Sequence, residues 1–137
     1  MGKFPTGFPD DCPSAADAVT MTLYHGCETG ISSEEDFTPY ALSSDDGKRK
    51  RGKRAGCIGW GLSVWASEEA ARHAQRLFPA LHGKRHIFKG DVTPADGRLK
   101  ATPTKHDPSH HTFWCFEGIS LRARFAWAWD PYEGHCS

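Results

Sequence analysis

His25 is the first residue of this chain that stands where type and spacing point to chemistry. Val19, Met21, Leu23 and His25 alternate with Thr20, Thr22 and Tyr24, the two-residue period of a half-buried strand. His25 is therefore in register with the apolar face at the end of that strand, and Gly26 breaks the chain immediately after it. An imidazole titrates near neutrality and can give or take a proton, although one on an apolar face also serves as an ordinary core residue. A second group is Gly56-Cys57-Ile58-Gly59-Trp60-Gly61, whose glycine spacing is neither the dinucleotide-binding nor the P-loop pattern. Glu117 and Gly118 precede the most regular apolar alternation, so Glu117 is a turn carboxylate at a strand start. His106, His110, His111 and Cys115 have gaps that resemble those of zinc sites. Their stretch is rich in Pro and Thr and lacks paired Cys-x-x-Cys or helical His-x-x-x-His, so no metal is expected. The eight histidines admit a Ser-His or Cys-His nucleophile, but no Gly-x-Ser-x-Gly elbow supports one.

The elements that must position these residues can be read along the chain. Residues 1–18, with Pro5, Pro9 and Pro13, predict an extended arm. Residues 19–137 then form one domain, with a polar, basic insertion at about 28–56 that lacks periodicity. Leu62 to Ala66 predicts a second strand. Ser67 caps a helix with Glu68 and Glu69 in its first turn, where the helix dipole favours acids. Ala70, Ala74, Leu77, Phe78 and Leu81 predict its buried stripe, and Pro79 its end. His86 to Val92 reads as a strand and Thr93 to Gly97 as a turn. Thr112 to Phe116 reads as a short strand that could pair with the last one. In that last strand Ile119, Leu121, Ala123, Phe125, Trp127 and Trp129 share one face. The sum is an α+β domain dominated by sheet.

Three pieces in order carry a resemblance to a known family. These are a strand ending Leu23-Tyr24-His25-Gly26, a Gly-x-Gly-Leu-Ser-Val-Trp strand at 59–65, and an Ala-rich helix opening at Ser67. Together they resemble the ADP-ribosyltransferase superfamily, in the diphtheria-toxin and PARP-like branch with a histidine on the first core strand. The resemblance covers roughly residues 20–92. It implies a split, mainly antiparallel sheet clasping an NAD cleft, with NAD as substrate and nicotinamide released. It implies that His25 holds the nicotinamide ribose and that Gly26, lacking a Cβ, presents its backbone to the carboxamide. Tyr24, Gly61, Ser63, Trp65 and His73 would complete the NAD-binding set, with Trp65 lining or stacking in the pocket. Glu117, with Glu133 as second candidate, would supply the carboxylate that stabilises the cationic ribosyl centre.

Bulk composition bounds what such a domain can be. A chain of 137 residues with 38% hydrophobic and 12% aromatic residues fills one core. Its formal net charge is zero, so no global field announces a nucleic-acid or membrane partner. No apolar run approaches the ~20 residues of a membrane span, and the N-terminus has no signal-peptide core. Five scattered cysteines without a Cys-x-x-Cys pair predict reduced thiols and a cytoplasmic site of action. The run Lys48-Arg49-Lys50-Arg51-Gly52-Lys53-Arg54 predicts a solvated loop able to touch a macromolecular acceptor, protein first and nucleic acid second. What the resemblance implies is a mono-ADP-ribosyltransferase of toxin, effector or phage-modifier type, held in check by a neutralising partner. Two alternatives use the same surfaces. One is an inactive domain that binds a partner through the basic loop and Arg122 and Arg124; the other is an NAD glycohydrolase with water as acceptor.

Overall fold

The computed structural model describes residues 2–13 and 15–132, so Glu133 and Cys136 lie outside the described residues. Among the described residues six strands form, namely β1 (Met21–Cys27), β2 (Leu62–Val64), β3 (His86–Val92), β4 (Gly97–Ala101), β5 (His111–Cys115) and β6 (Phe125–Trp129). They make two antiparallel three-stranded sheets, ordered β1-β3-β6 and β2-β5-β4. The sheets touch at one backbone pair, where Tyr24 and Trp65 exchange N–H···O bonds of 2.9 Å in both directions. Asp17, ahead of β1, makes a similar exchange with Leu99 of β4 and ties the entering chain to the other sheet. The main core is shared by both sheets, because alternate residues such as Leu23, Phe88 and Phe125 from one meet Leu62, Val64 and Phe113 from the other. This is an α+β domain with a split antiparallel sheet.

Two helices flank the split. Helix α2 (Glu68–Leu77) begins where Ser67 Oγ accepts from the Ala70 N–H at 3.1 Å, as its sequence predicts. It buries Ala71, Ala74 and Gln75 against Trp65, Ile87 and the partly buried Tyr24. The predicted stripe holds for Ala70 and Ala74, whereas Leu77, the last helical residue, and Leu81, beyond the helix end ahead of Pro79, are exposed. Buried Gln75 earns its place by bonding, since its Nε2 donates to the Arg85 carbonyl and its Oε1 accepts from Trp129 Nε1 at 2.8 Å.

Helix α1 (Asp46–Arg54) is the main departure from expectation. The basic run is a helix, not a loop. Asp45 caps it by accepting from the Gly47 and Lys48 N–H groups, and Asp46 pairs with Arg49 and Lys50. Its one buried residue is Gly52. A Cβ at Gly52 would strike the Tyr40–Ala41 backbone, and one at Gly59 would strike the Gly52 carbonyl. Gly52 and Gly59 therefore serve backbone contacts of α1, with the 3₁₀ turn Tyr40–Leu42 at Gly52 and with the 3₁₀ segment Gly56–Trp60 at Gly59.

Three further expectations are corrected. The arm is docked rather than free: Phe4 stacks on Phe8 at 4.4 Å, Phe8 meets Trp60, and Cys12 is disulfide-bonded to Cys57. The expectation of reduced thiols fails for that pair, while Cys27 and Cys115 are free. The last strand is only Phe125–Trp129, since residues 119–124 turn, with the Arg124 and Phe125 N–H groups both bonded to the Leu121 carbonyl. Nor do Trp127 and Trp129 share a face. Phe88 pairs with Trp127 but Ile87 pairs with Trp129, so Ala128 is an extra residue that turns Trp129 onto the α2 side, against Tyr24 and beneath Arg72.

The disulfide closes a loop across a sequence separation of 45. Loop-closure entropy of that length corresponds to about 4 kcal/mol of stability. Urea denaturation of the Cys12→Ser/Cys57→Ser double variant is expected to show a lower midpoint by a corresponding margin, with the slope raised little. An unchanged midpoint would show that the arm needs no staple.

Candidate functional site

The cleft lies at the place where β1 and β2 stop pairing. Along an extended strand, each residue's N–H and C=O point to one side and the next residue's to the other. Tyr24 bonds to Trp65, so the next exchange in a continuous ladder would join Gly26 to Ser63. That exchange is replaced. The Ser63 carbonyl instead meets His25 Nδ1 at 2.7 Å, and no ladder joins β1 to β2. Gly26 is left with its N–H and C=O on the rim of the split, where it lines a cleft of about 430 Å³. A side chain at Gly26 is barred because its Cβ would lie 2.9 Å from Arg85 Cβ.

His25 is 8% exposed and is braced from three sides. Its Nε2 meets the Asp36 carbonyl at 2.5 Å, and its ring lies 4.9 Å from that of Phe37. Both carbonyls can be bonded at once only by the doubly protonated ring. Burial nevertheless holds the His25 pKa below its ordinary value, outweighing the Ser63 and Asp36 carbonyl bonds that favour the charged form. Near neutrality the ring thus carries one proton and serves one carbonyl at a time.

The opposite wall comes from β2, and behind it Ser63 meets the chain entering β5. Ser63 Oγ lies 2.9 Å from His110 Nε2, while His110 Nδ1 lies 2.9 Å from Thr102 Oγ1 and 3.1 Å from the Thr102 carbonyl. A carbonyl can only accept, so it fixes the proton on Nδ1 and leaves Nε2 to accept from the Ser63 hydroxyl. Burial lowers the His110 pKa and keeps the ring in that neutral state. Trp65 borders the cleft but is only 2% exposed; its Nε1 donates to buried Asp107 at 2.8 Å, and His82 packs edge-on against it at 5.2 Å. Lys48 of α1 and Arg85 bring positive charge to the cleft. Of its carboxylates, Glu35 is bonded to Ser43 and Ser44, and Asp36 to Ser33. Glu28, just past β1, is exposed and makes no hydrogen bond or ion pair among the described residues.

The residues expected from sequence thus separate. His25, Gly26, Gly61, Ser63 and Trp65 border one cleft. Tyr24 faces away from it, onto Trp129. His73 is exposed on α2 and does not line the cleft, and neither does Glu117, an exposed turn residue whose N–H bonds to the Lys3 carbonyl. Arg122 and Arg124 are tied to the fold, through the Ser32 carbonyl and through Asp96 at 2.5 Å. His106, His110, His111 and Cys115 do not gather, and no cluster able to hold a metal ion occurs among the described residues. No protein-family model, curated protein or solved structure matches this chain.

The sequence gives no sign that Arg85 and Glu28 border the cleft or that His110 meets Ser63. Neither the Ser63–His110 contact nor the Arg85–Gly26 contact has a local signal, because each joins distant segments. Lys48 was visible only as part of a charge run.

His25, His82 and His110 all have pKa values below 6.5, in each case chiefly through burial. The unfolded chain therefore takes up protons near that value that the native state refuses. Stability is full above it and is lost as pH falls from the unfolded value toward the native ones. The melting temperature is expected to fall between about pH 7.5 and pH 5.5, and to fall less in His110→Gln. A melting temperature that rises over this interval would contradict the assignment.

Proposed function

We propose that this chain transfers ADP-ribose from NAD to a macromolecular acceptor and releases nicotinamide. The observation that supports this reading best is the unpaired backbone edge of Gly26 beside His25. One extended residue offers a donor and an acceptor side by side, which matches the C=O and NH₂ of a planar carboxamide. The absence of a Cβ allows that approach. Lys48 and Arg85 suit a diphosphate, and the edge of Trp65 with His82 suits a flat ring.

In this reading the bond between C1′ and the nicotinamide nitrogen breaks, and the electron pair leaves with neutral nicotinamide. Glu28 stands in for the carboxylate expected at Glu117 and stabilises the positive charge that develops on the ribose. The acceptor atom bonds to C1′, and its proton passes to His110 Nε2 by way of Ser63 Oγ. A ribose hydroxyl can reach His25 Nε2 by taking the place of the Asp36 carbonyl. With water as acceptor, the same steps describe an NAD glycohydrolase. The position of Glu117 outside the cleft, with the buried His25 ring held between the Ser63 and Asp36 carbonyls, favours a second reading as an inactive binding domain.

Nicotinamide release from NAD by the purified protein, with and without cell lysate, separates these readings. Release is expected to drop on the order of 100-fold in Glu28→Gln, with labelled ADP-ribose appearing on lysate macromolecules. Saturable NAD binding without turnover supports the inactive domain. Neither binding nor turnover discards the NAD reading.

A further inference from the structure

Helix α1 carries six basic residues in nine positions and no apolar side chain. Arg49, Lys50, Arg51, Lys53 and Arg54 are exposed, and only Arg49 and Lys50 are paired among the described residues, both with Asp46. A solvated run of this kind would carry little meaning if it were loose. It is held in place by the Asp45 cap, by Gly52 against Gly59, and by the Cys12–Cys57 bond beside that contact.

That anchoring sets α1 as a ridge between two hollows. On one side Lys48 faces the cleft, which Tyr40, 51% exposed, and Ile58 also border. On the other side Arg49 and Lys53, with Trp60, border a second, open hollow of about 480 Å³. The helix is about 13 Å long at 1.5 Å per residue, enough to meet two or three successive phosphates of an extended strand.

We infer that α1 and the two hollows beside it bind single-stranded nucleic acid, its phosphates crossing the ridge and a base stacking on Tyr40. Two observations favour this over an acidic protein. Protein interfaces have an apolar centre and are poor in lysine, whereas α1 has cations on every side and no apolar group. Tyr40, exposed at the mouth of the cleft, offers a stacking surface of the sort that single strands use. A duplex would bridge over both hollows without entering them. This inference rests on α1 and its surroundings and does not depend on NAD turnover.

The test is fluorescence anisotropy of the intact protein with labelled 12-nucleotide RNA and DNA strands of mixed sequence, over a range of salt concentrations. The comparison protein is Lys48→Gln/Arg51→Gln/Arg54→Gln, which leaves the Asp46 pairs intact and whose fold is checked by circular dichroism. Saturable binding is expected, weakened on the order of 10- to 100-fold in the triple variant. Its dependence on the logarithm of salt should flatten by about two, at roughly 0.7 per lost phosphate contact. Lys89→Gln/Lys100→Gln/Lys105→Gln, with the same charge change elsewhere, should bind as the parent does. The inference is overturned if single strands fail to bind at low salt, or if both triple variants lose affinity equally. Equal affinity for a 12-base-pair duplex overturns it too, and tighter binding of polyglutamate shifts the partner to an acidic protein.

Discussion

Much of this structure follows from which group bonds to the carbonyl of Ser63. In an uninterrupted sheet the acceptor would be taken by the backbone of β1, and six strands would run on as one surface. Here a side chain takes it. The bond from His25 to Ser63 ends the ladder one step after Tyr24 and Trp65, opens the split, and leaves the backbone of Gly26 facing solvent. The same imidazole packs on Phe37 and sets its other nitrogen 2.5 Å from the Asp36 carbonyl, which can take the ring proton in turn, so the polar span after β1 is drawn over the core. One ring thus replaces a missing strand pair and closes the roof above it.

Around that break and behind the cleft wall at Trp65, polar groups are satisfied within the fold. Asp107 holds the indole of Trp65, Thr102 orients His110, and Gln75 bridges Trp129 to the chain that follows α2. Each is a buried or half-buried group with its partner in place, which fixes side-chain direction more sharply than apolar packing does. Burial also keeps the histidines neutral, and neutral histidines can accept a proton. The electrostatics of the cleft are therefore a consequence of how deeply its walls are set.

Local pattern made much of the fold legible in the sequence. The span His86–Val92 and the Ser67 cap agree with the structure to the residue, because alternation and capping are short-range effects. His25 stood out for the same reason, as a polar residue in an apolar register. Where expectation failed, a long-range event had intervened. Ala128 inserts into β6 opposite β3 and moves Trp129 to the other face, which no reading of β6 alone can anticipate. The basic run reads as coil because its like charges repel, yet it is helical because Asp45 and Asp46 neutralise its first turn and Gly52 lets it dock. Ser63 and His110 are 47 positions apart, and Cys12 and Cys57 45; only the folded chain brings such pairs together.

The contact of Gly52 with Gly59 also constrains how this surface can diverge. Neither position tolerates a Cβ, so both are closed to substitution while the fold is kept. The six basic positions of the same helix touch little else and are open to it. A lineage carrying this domain can therefore exchange the chemistry of the ridge, residue by residue, without relocating it. Partner choice can drift while the geometry relative to the cleft stays inherited.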